Sequence, residues 1–160
     1  MTEIQDKLQK KFADSILEIK SPRPSRIYMR IRPGMIKDVI RYAMKDLGLL
    51  HFSTITGVDK GTEFEAIYNL FGNKTGLSIG IRVNRDDPKI ETVTDIVPGA
   101  VCYERELQDF FGFVVKDIPD GRRLIIPDKW PEGQFPLRKD WNQDMLPASF
   151  NDGLRRDWRK

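Results

Sequence analysis

The chain holds one cysteine and one histidine in 160 residues. A single Cys102 rules out an internal disulfide and leaves too few soft ligands for a zinc or iron–sulfur site built by this chain alone. His51 opens an apolar stretch with no serine or cysteine beside it, so it reads as a satisfied strand histidine rather than a general base. No G-x-G-x-x-G is present. Gly72-Asn73-Lys74-Thr75-Gly76 lacks the full phosphate-loop pattern and leads into a strand instead of a helix. No apolar run nears the roughly 18 residues of a membrane span, and MTEIQDKLQKKF has no apolar signal-peptide core. The expectation is a protein of a reducing compartment that meets a membrane only through other proteins.

Charge is what the chain has in plenty. Charged residues are 32% and hydrophobic ones 39%, which still describes one folded domain with a genuine core. The net charge is +3, and the whole excess falls in residues 121–160; the first 120 residues are neutral overall. A basic C-terminal part suits an acidic protein surface, anionic lipid or nucleic acid.

Thr2-Glu3-Ile4-Gln5 has the form of a capping box. Ile4, Leu8, Phe12, Ile16 and Ile19 follow at helical spacing, which predicts a first helix reaching Pro22. Ser25 to Arg32 alternates as a half-buried strand. Pro33-Gly34 opens a second helix with an apolar stripe from Ile36 to Leu47, capped by Gly48. Strands are predicted at 49–56, 63–70 and 77–83, joined by turns at Asp59-Lys60-Gly61 and Gly72-Asn73-Lys74, with a short edge piece over 90–97. A third helix runs from Ala100 to Phe111 and ends at Gly112, followed by extended pieces at 113–115 and 124–126. The fold class is α+β, a two-layer sandwich of helices on a mostly antiparallel sheet. The division is a scaffold domain over 1–126 and an extended, irregular tail over 127–160. In the tail, Trp130, Phe135, Trp141, Phe150 and Trp158 read as anchors on a partner, or else as rings packed back on their own domain.

The densest chemistry lies between Glu104 and Trp141. Glu106 and Asp109 could form an acid/base or metal pair, but no third ligand is near in sequence. The alternative is an Arg105–Asp109 pair one turn apart, with the acids bonded elsewhere. Cys102, in the first turn of the third helix, reads as a small apolar filler, with a reactive thiol as the alternative. Arg122, Arg123, Arg138 and Lys139 suit carboxylates and aromatic faces. The rings are not spaced as a base-stacking platform and acids are mixed in, so nucleic acid is not expected.

Glu104-Arg105-Glu106, Asp109, Phe111-Gly112, Pro119-Asp120, Arg122-Arg123, Pro127-Asp128, Trp130 and Pro136-Leu137-Arg138-Lys139-Asp140-Trp141 resemble the signature of the respiratory complex I 30-kDa subunit family. Small subunits of energy-converting membrane-bound nickel–iron hydrogenases share it. Asp117-Ile118 stand where the family usually has Gly-His, and Gly121 replaces a usual leucine. The long stretch 130–136 is similar to hydrogenase-type and archaeal versions, and favours these or a ferredoxin-linked complex over an NADH:quinone enzyme. The resemblance implies a non-catalytic subunit of the peripheral arm, at the cytoplasmic face of the cell membrane. It implies no cofactor on this chain, with iron–sulfur clusters and nickel–iron in other subunits. The partners implied are a large catalytic subunit and a small iron–sulfur subunit. The interface set is Glu104, Arg105, Glu106, Asp109, Asp120, Arg122, Arg123, Asp128, Trp130, Pro136, Leu137, Arg138, Lys139, Asp140 and Trp141, with buried ion pairs fixing the docking geometry.

Overall fold

The computed structural model describes residues 3–147 and 150. Thr2 as an N-cap, Trp158 and the basic residues 155–160 lie outside them. In chain order the elements are α1 (Glu3–Phe12), β1 (Ile16–Arg23), β2 (Arg26–Ile31), α2 (Ile36–Lys45), β3 (His51–Asp59), β4 (Glu63–Gly72), β5 (Thr75–Asn84), β6 (Lys89–Glu91), α3 (Ala100–Phe111) and β7 (Val114–Lys116). Five strands form one sheet in the order β1-β2-β5-β4-β3, and β6 pairs with β7 separately. The β2–β5 and β6–β7 pairings are parallel and the rest antiparallel.

The first helix is shorter than its spacing suggests. It stops at Phe12, a single turn of 3₁₀ helix spans Ala13–Ser15, and Ile16–Arg23 becomes an edge strand. Ile16 lies opposite Ile31 and Ile19 opposite Met29, so the apolar pair read as a helical continuation joins the sheet instead. Two register shifts in β1 blur its alternation, and Pro22 is tolerated because the strand is at an edge. Residues 124–126, expected as an extended piece, pair with no strand among the described residues.

The helices cover one face of the sheet. Ile36, Val39, Ile40 and Ala43 of α2 are fully buried against the inward rows Ile27-Met29-Ile31, Leu77-Ile79-Ile81 and Phe64-Ala66-Tyr68-Leu70. Asn73 and Lys74, both in the left-handed region, make the two-residue turn whose twist matches the β4–β5 hairpin. Helix α3 presents Ala100, Glu104, Leu107 and Phe111 inward. Its end meets β3 at Gly57, where an added Cβ comes within 2.5 Å of the Phe111 ring and 2.8 Å of Leu107.

Glu104 is the polar member of that stripe and is fully buried. Its carboxylate accepts from Thr92 Oγ1 and from Val93 N–H, both at 2.6 Å, and so fastens the loop after β6 to α3. Burial pushes its pKa above the usual carboxylate range despite those bonds. Cys102 lies on the other side of the helix and is exposed, not a core filler.

Gly57→Ala is expected to destabilise the fold by about 1–3 kcal/mol through overpacking. Thermal unfolding should shift down by about 3–10 °C for a chain of this length.

Candidate docking surface

Residues 117–141 form neither helix nor paired strand, yet many of their backbone groups are bonded within the chain. Arg105 and Asp109, one helical turn apart, hold the segment from below. Arg105 donates through Nε to the Arg122 carbonyl at 2.6 Å and through Nη2 to the Arg123 carbonyl at 2.7 Å. Asp109 Oδ2 accepts from the amides of Leu124, Ile125 and Ile126 at 2.9, 2.8 and 3.4 Å. The cation therefore takes carbonyls and the anion takes amides, which meets the demand that irregular backbone places on its surroundings. The expected Arg105–Asp109 ion pair does not form; Arg105 pairs with Asp120 instead, at 3.4 Å. Asp120 also accepts from Arg122 Nε and Nη2, and these bonds hold its carboxyl far below the usual range.

Further along, Arg123 Nη1 donates to the carbonyls of Pro127, Asp128 and Trp130 at 3.0, 3.1 and 2.8 Å. Arg138 donates to the Phe111 carbonyl at 2.8 Å, and its guanidinium lies over Phe135 at 4.1 Å and Phe64 at 5.0 Å. That stack needs Gly112. Its φ is +76°, and a Cβ there comes within 2.5 Å of Phe135 and 2.6 Å of Arg138 Nη2. Burial, and then the Arg85 charge, lower the Arg138 pKa. The Leu137 amide donates to the Phe110 carbonyl. Asp59 completes the attachment: it accepts from Gly61 N–H at 2.7 Å, Arg85 Nη1 at 2.9 Å and Lys139 N–H at 3.0 Å. Arg85 also reaches Asp140. Burial opposes ionisation of Asp59, but those donors outweigh it and its pKa lies below the usual value.

The rings of the tail contact one another. Trp130 and Trp141 stack with centroids 5.9 Å apart, and Phe150 meets Trp130 edge-on. Trp130, Trp141 and Phe150 thus pack on one another within the tail, while Phe135 lies against Arg138 and Gly112 at the end of α3. As far as residue 147, the tail drawn from 127 is fastened to the scaffold.

The residues of the interface set thus fall into three groups, with Glu106 apart from them. Glu104 and Asp109 are buried and bonded within the chain, which corrects their place as partner contacts: neither can reach a neighbour while the fold is intact. Arg105, Asp120, Arg123, Trp130, Pro136, Arg138 and Trp141 are half-buried in the network. Arg122, Asp128, Leu137, Lys139 and Asp140 are exposed. Glu106 is half-buried, and its carboxylate has no bonding partner among the described residues. The sequence reading missed Leu124 and Ile125, which are 42% and 50% exposed on the loop that Asp109 fixes. Two aliphatic side chains beside an arginine pair were the available signal. Also missed was Asp59 as the tail's anchor. Among the described residues no three His, Cys, Asp or Glu side chains are grouped to hold a metal.

With this geometry in view, the comparisons identify the lineage. The family model described as "Respiratory-chain NADH dehydrogenase, 30 Kd subunit" matches residues 29–145. The chain belongs to this family. Among curated relatives, a subunit of the F(420)H(2) dehydrogenase of Methanosarcina mazei is 32% identical over 142 residues, covering 86% of this chain and 89% of that one. Hydrogenase-4 component G of Escherichia coli is 31% identical over 140 residues, covering 83% of this chain but 25% of that longer one. A chain of the archaeal membrane-bound sulfane sulfur reductase superposes with a TM-score of 0.73 at 28% identity, covering 96% of this chain and 89% of that one. Subunits named for NADH-quinone oxidoreductases and for a membrane-bound hydrogenase match as well. The chain is thus a subunit of the type found in hydrogenase-type and NADH:quinone oxidoreductase complexes. No described helix is long and apolar enough to cross a membrane.

Asp109→Ala should cost on the order of 2 kcal/mol, because three amides lose a charged acceptor. Hydrogen exchange should then accelerate at Leu124 and Ile125 far more than at Tyr68 in β4. Asp59 gives a pH dependence. Its folded pKa is lowered, so its contribution is complete above the ordinary Asp value and is lost as pH falls through the folded one. The Lys139 amide proton should shift with an apparent pKa below about 3.9, and Asp59→Asn should flatten that titration.

Proposed function

We propose that this chain is a docking and assembly subunit in the peripheral arm of a membrane-bound, ion-translocating oxidoreductase, at the cytoplasmic face of the membrane. Segment 120–141 binds the large catalytic subunit, and the small iron–sulfur subunit lies nearby. In this reading the chain holds no redox centre. The iron–sulfur clusters, and nickel–iron in a hydrogenase-type complex, belong to its neighbours.

One observation carries the proposal. The irregular segment is fastened through its backbone, while Leu124, Ile125 and Leu137 remain 42%, 50% and 52% exposed. A loop that is held rigid with its aliphatic side chains outward suits insertion into an apolar recess. Family membership among complex subunits supports the same role. So does hydrogenase-4 component G, where the matched stretch is continuous with a much longer chain, as suits a permanent neighbour. The likeness to the sulfane sulfur reductase chain over 96% of this one favours a hydrogenase-type or ferredoxin-linked complex. The second reading is the equivalent NADH:quinone subunit, favoured by relatives bearing that name. Nickel in the purified assembly separates the two.

Recovery of the large subunit with a tagged chain from native membranes tests the docking role. The paired change Leu124→Asp and Ile125→Asp should lower that recovery tenfold or more, about 1.4 kcal/mol. Unfolding of the isolated chain should move by no more than about 2 °C, since surface changes cost little. Undiminished recovery would remove this surface from the interface.

A further inference from the structure

We propose that the face of the five-stranded sheet that none of the described elements covers is a second docking surface, and that its occupant is an acidic, extended segment of a neighbouring polypeptide. This face lies opposite the helices and takes no part in the network around α3.

Strand β5, central in the sheet, brings Gly76, Ser78 and Gly80 to this face before Arg82 follows at its far end. In register on one side stand Arg26, Tyr28 and Arg30 of β2; on the other stand Phe71, Asn69 and Ile67 of β4. The middle of the sheet is therefore a trough between two walls. A Cβ at Gly76 comes within 2.5 Å of Arg26 Nη1, so the glycine lets that arginine lie across the floor. A depression of about 760 Å³ is bounded by Arg23, Arg26, Tyr28, Thr56 and Asn69. It continues past Tyr28, Ile67 and Ser78 into one of about 250 Å³ beside Glu18, Arg30 and Arg82.

The two ends differ in charge balance. In the smaller part each cation has an acid: Arg30 and Lys20 meet Glu18, and Arg82 meets Glu65. In the larger part Arg23 and Arg26 are opposite each other in the β1–β2 register, and neither guanidinium meets a carboxylate among the described residues. Like charges directly opposed across strands are unfavourable, and a carboxylate-bearing ligand relieves the pair while taking both forks. Tyr28, 47% exposed beside Ile67, supplies apolar contact between the charged ends.

Charge also decides among occupants. The chain's own last ten residues carry Arg155, Arg156, Arg159 and Lys160 against Asp152 and Asp157, so they are repelled. A second copy brings the same arginine pair. A trough one strand wide, positive at one end and self-neutralised at the other, fits an extended acidic peptide.

A photo-reactive benzoyl-phenylalanine in place of Tyr28, in cells that make the protein, tests this. The expected result is a crosslink mapping to an acidic stretch of another polypeptide. The paired change Arg23→Glu and Arg26→Glu should reduce its yield tenfold or more, whereas Leu124→Asp with Ile125→Asp should spare contacts made only here. Unfolding of the isolated charge-reversed chain reports whether the sheet is intact. Crosslinks confined to this chain, to a second copy, to lipid or to RNA overturn the proposal, as does a yield indifferent to charge reversal in a folded chain.

Discussion

A single carboxylate, that of Asp109, accepts three successive backbone amides, and a single guanidinium one turn earlier, that of Arg105, takes the two preceding carbonyls. The C-terminal arrangement depends on this division of labour. A stretch without helix or strand presents polar groups that cost about 1–3 kcal/mol each when buried without partners. Helix α3 supplies those partners from two adjacent turns, and α3 is itself seated by the missing Cβ of Gly57. Gly112 then turns the chain so that Phe135 and Arg138 can close over the helix end. Asp59, at the end of β3, catches the segment again at Lys139. Helix, hairpin and irregular chain are thereby joined at three points.

That internal use of charge changes what the surface can offer. The density of acids and arginines between Glu104 and Trp141 suggests ion pairs across an interface. In the structure several of those groups bond within the chain: Arg105 and Arg122 with Asp120, Asp140 with Arg85, and Arg123 with three carbonyls. Beside the exposed charges of Arg122, Asp128, Lys139 and Asp140, the outward surface carries the aliphatic side chains of Leu124, Ile125 and Leu137. Ordering a flexible loop costs about 1–2 kcal/mol per residue. A loop already ordered by its own helix spares a partner that cost, so its few apolar side chains can support a specific contact.

Much of this scaffold was legible in the sequence. The bounds of α3 agree to the residue with the reading from Pro98-Gly99 and Gly112, because cap chemistry is local. The β4–β5 hairpin was equally plain from its alternation and turn. β1 was not, since Ile16 and Ile19 fit a helical stripe as well as a bulged edge strand, and only pairing with β2 decides. The family signature marked out residues 104–141, but the bonding inside that stretch was hidden. Arg105 and Asp109 sit at ideal helical spacing for each other, yet both turn to backbone 15 to 18 residues ahead. Non-local demand overrode a local pairing worth only about 0.2–0.5 kcal/mol. Glu104 was more accessible to sequence reasoning: with Ala100, Leu107 and Phe111 it completes an inward stripe, which also puts Cys102 outside.

The two buried acids on either side of this network respond to protons in opposite senses. Asp59 is held ionised by Lys139 and Gly61 amides and by Arg85, against its burial, so acid weakens what it binds. Burial raises Glu104, so its ionised form is the one the fold disfavours. Its contribution is most favourable below the ordinary Glu value and declines as pH rises through the folded one. A protonated Glu104 can donate to Thr92 Oγ1 and still accept Val93 N–H on its other oxygen, so α3 keeps its loop in acid. The scaffold and the fastened segment are therefore separable in stability although they share one helix. The segment's attachment at Lys139 rests on ionised Asp59, whereas the seat of α3 rests on shape and burial.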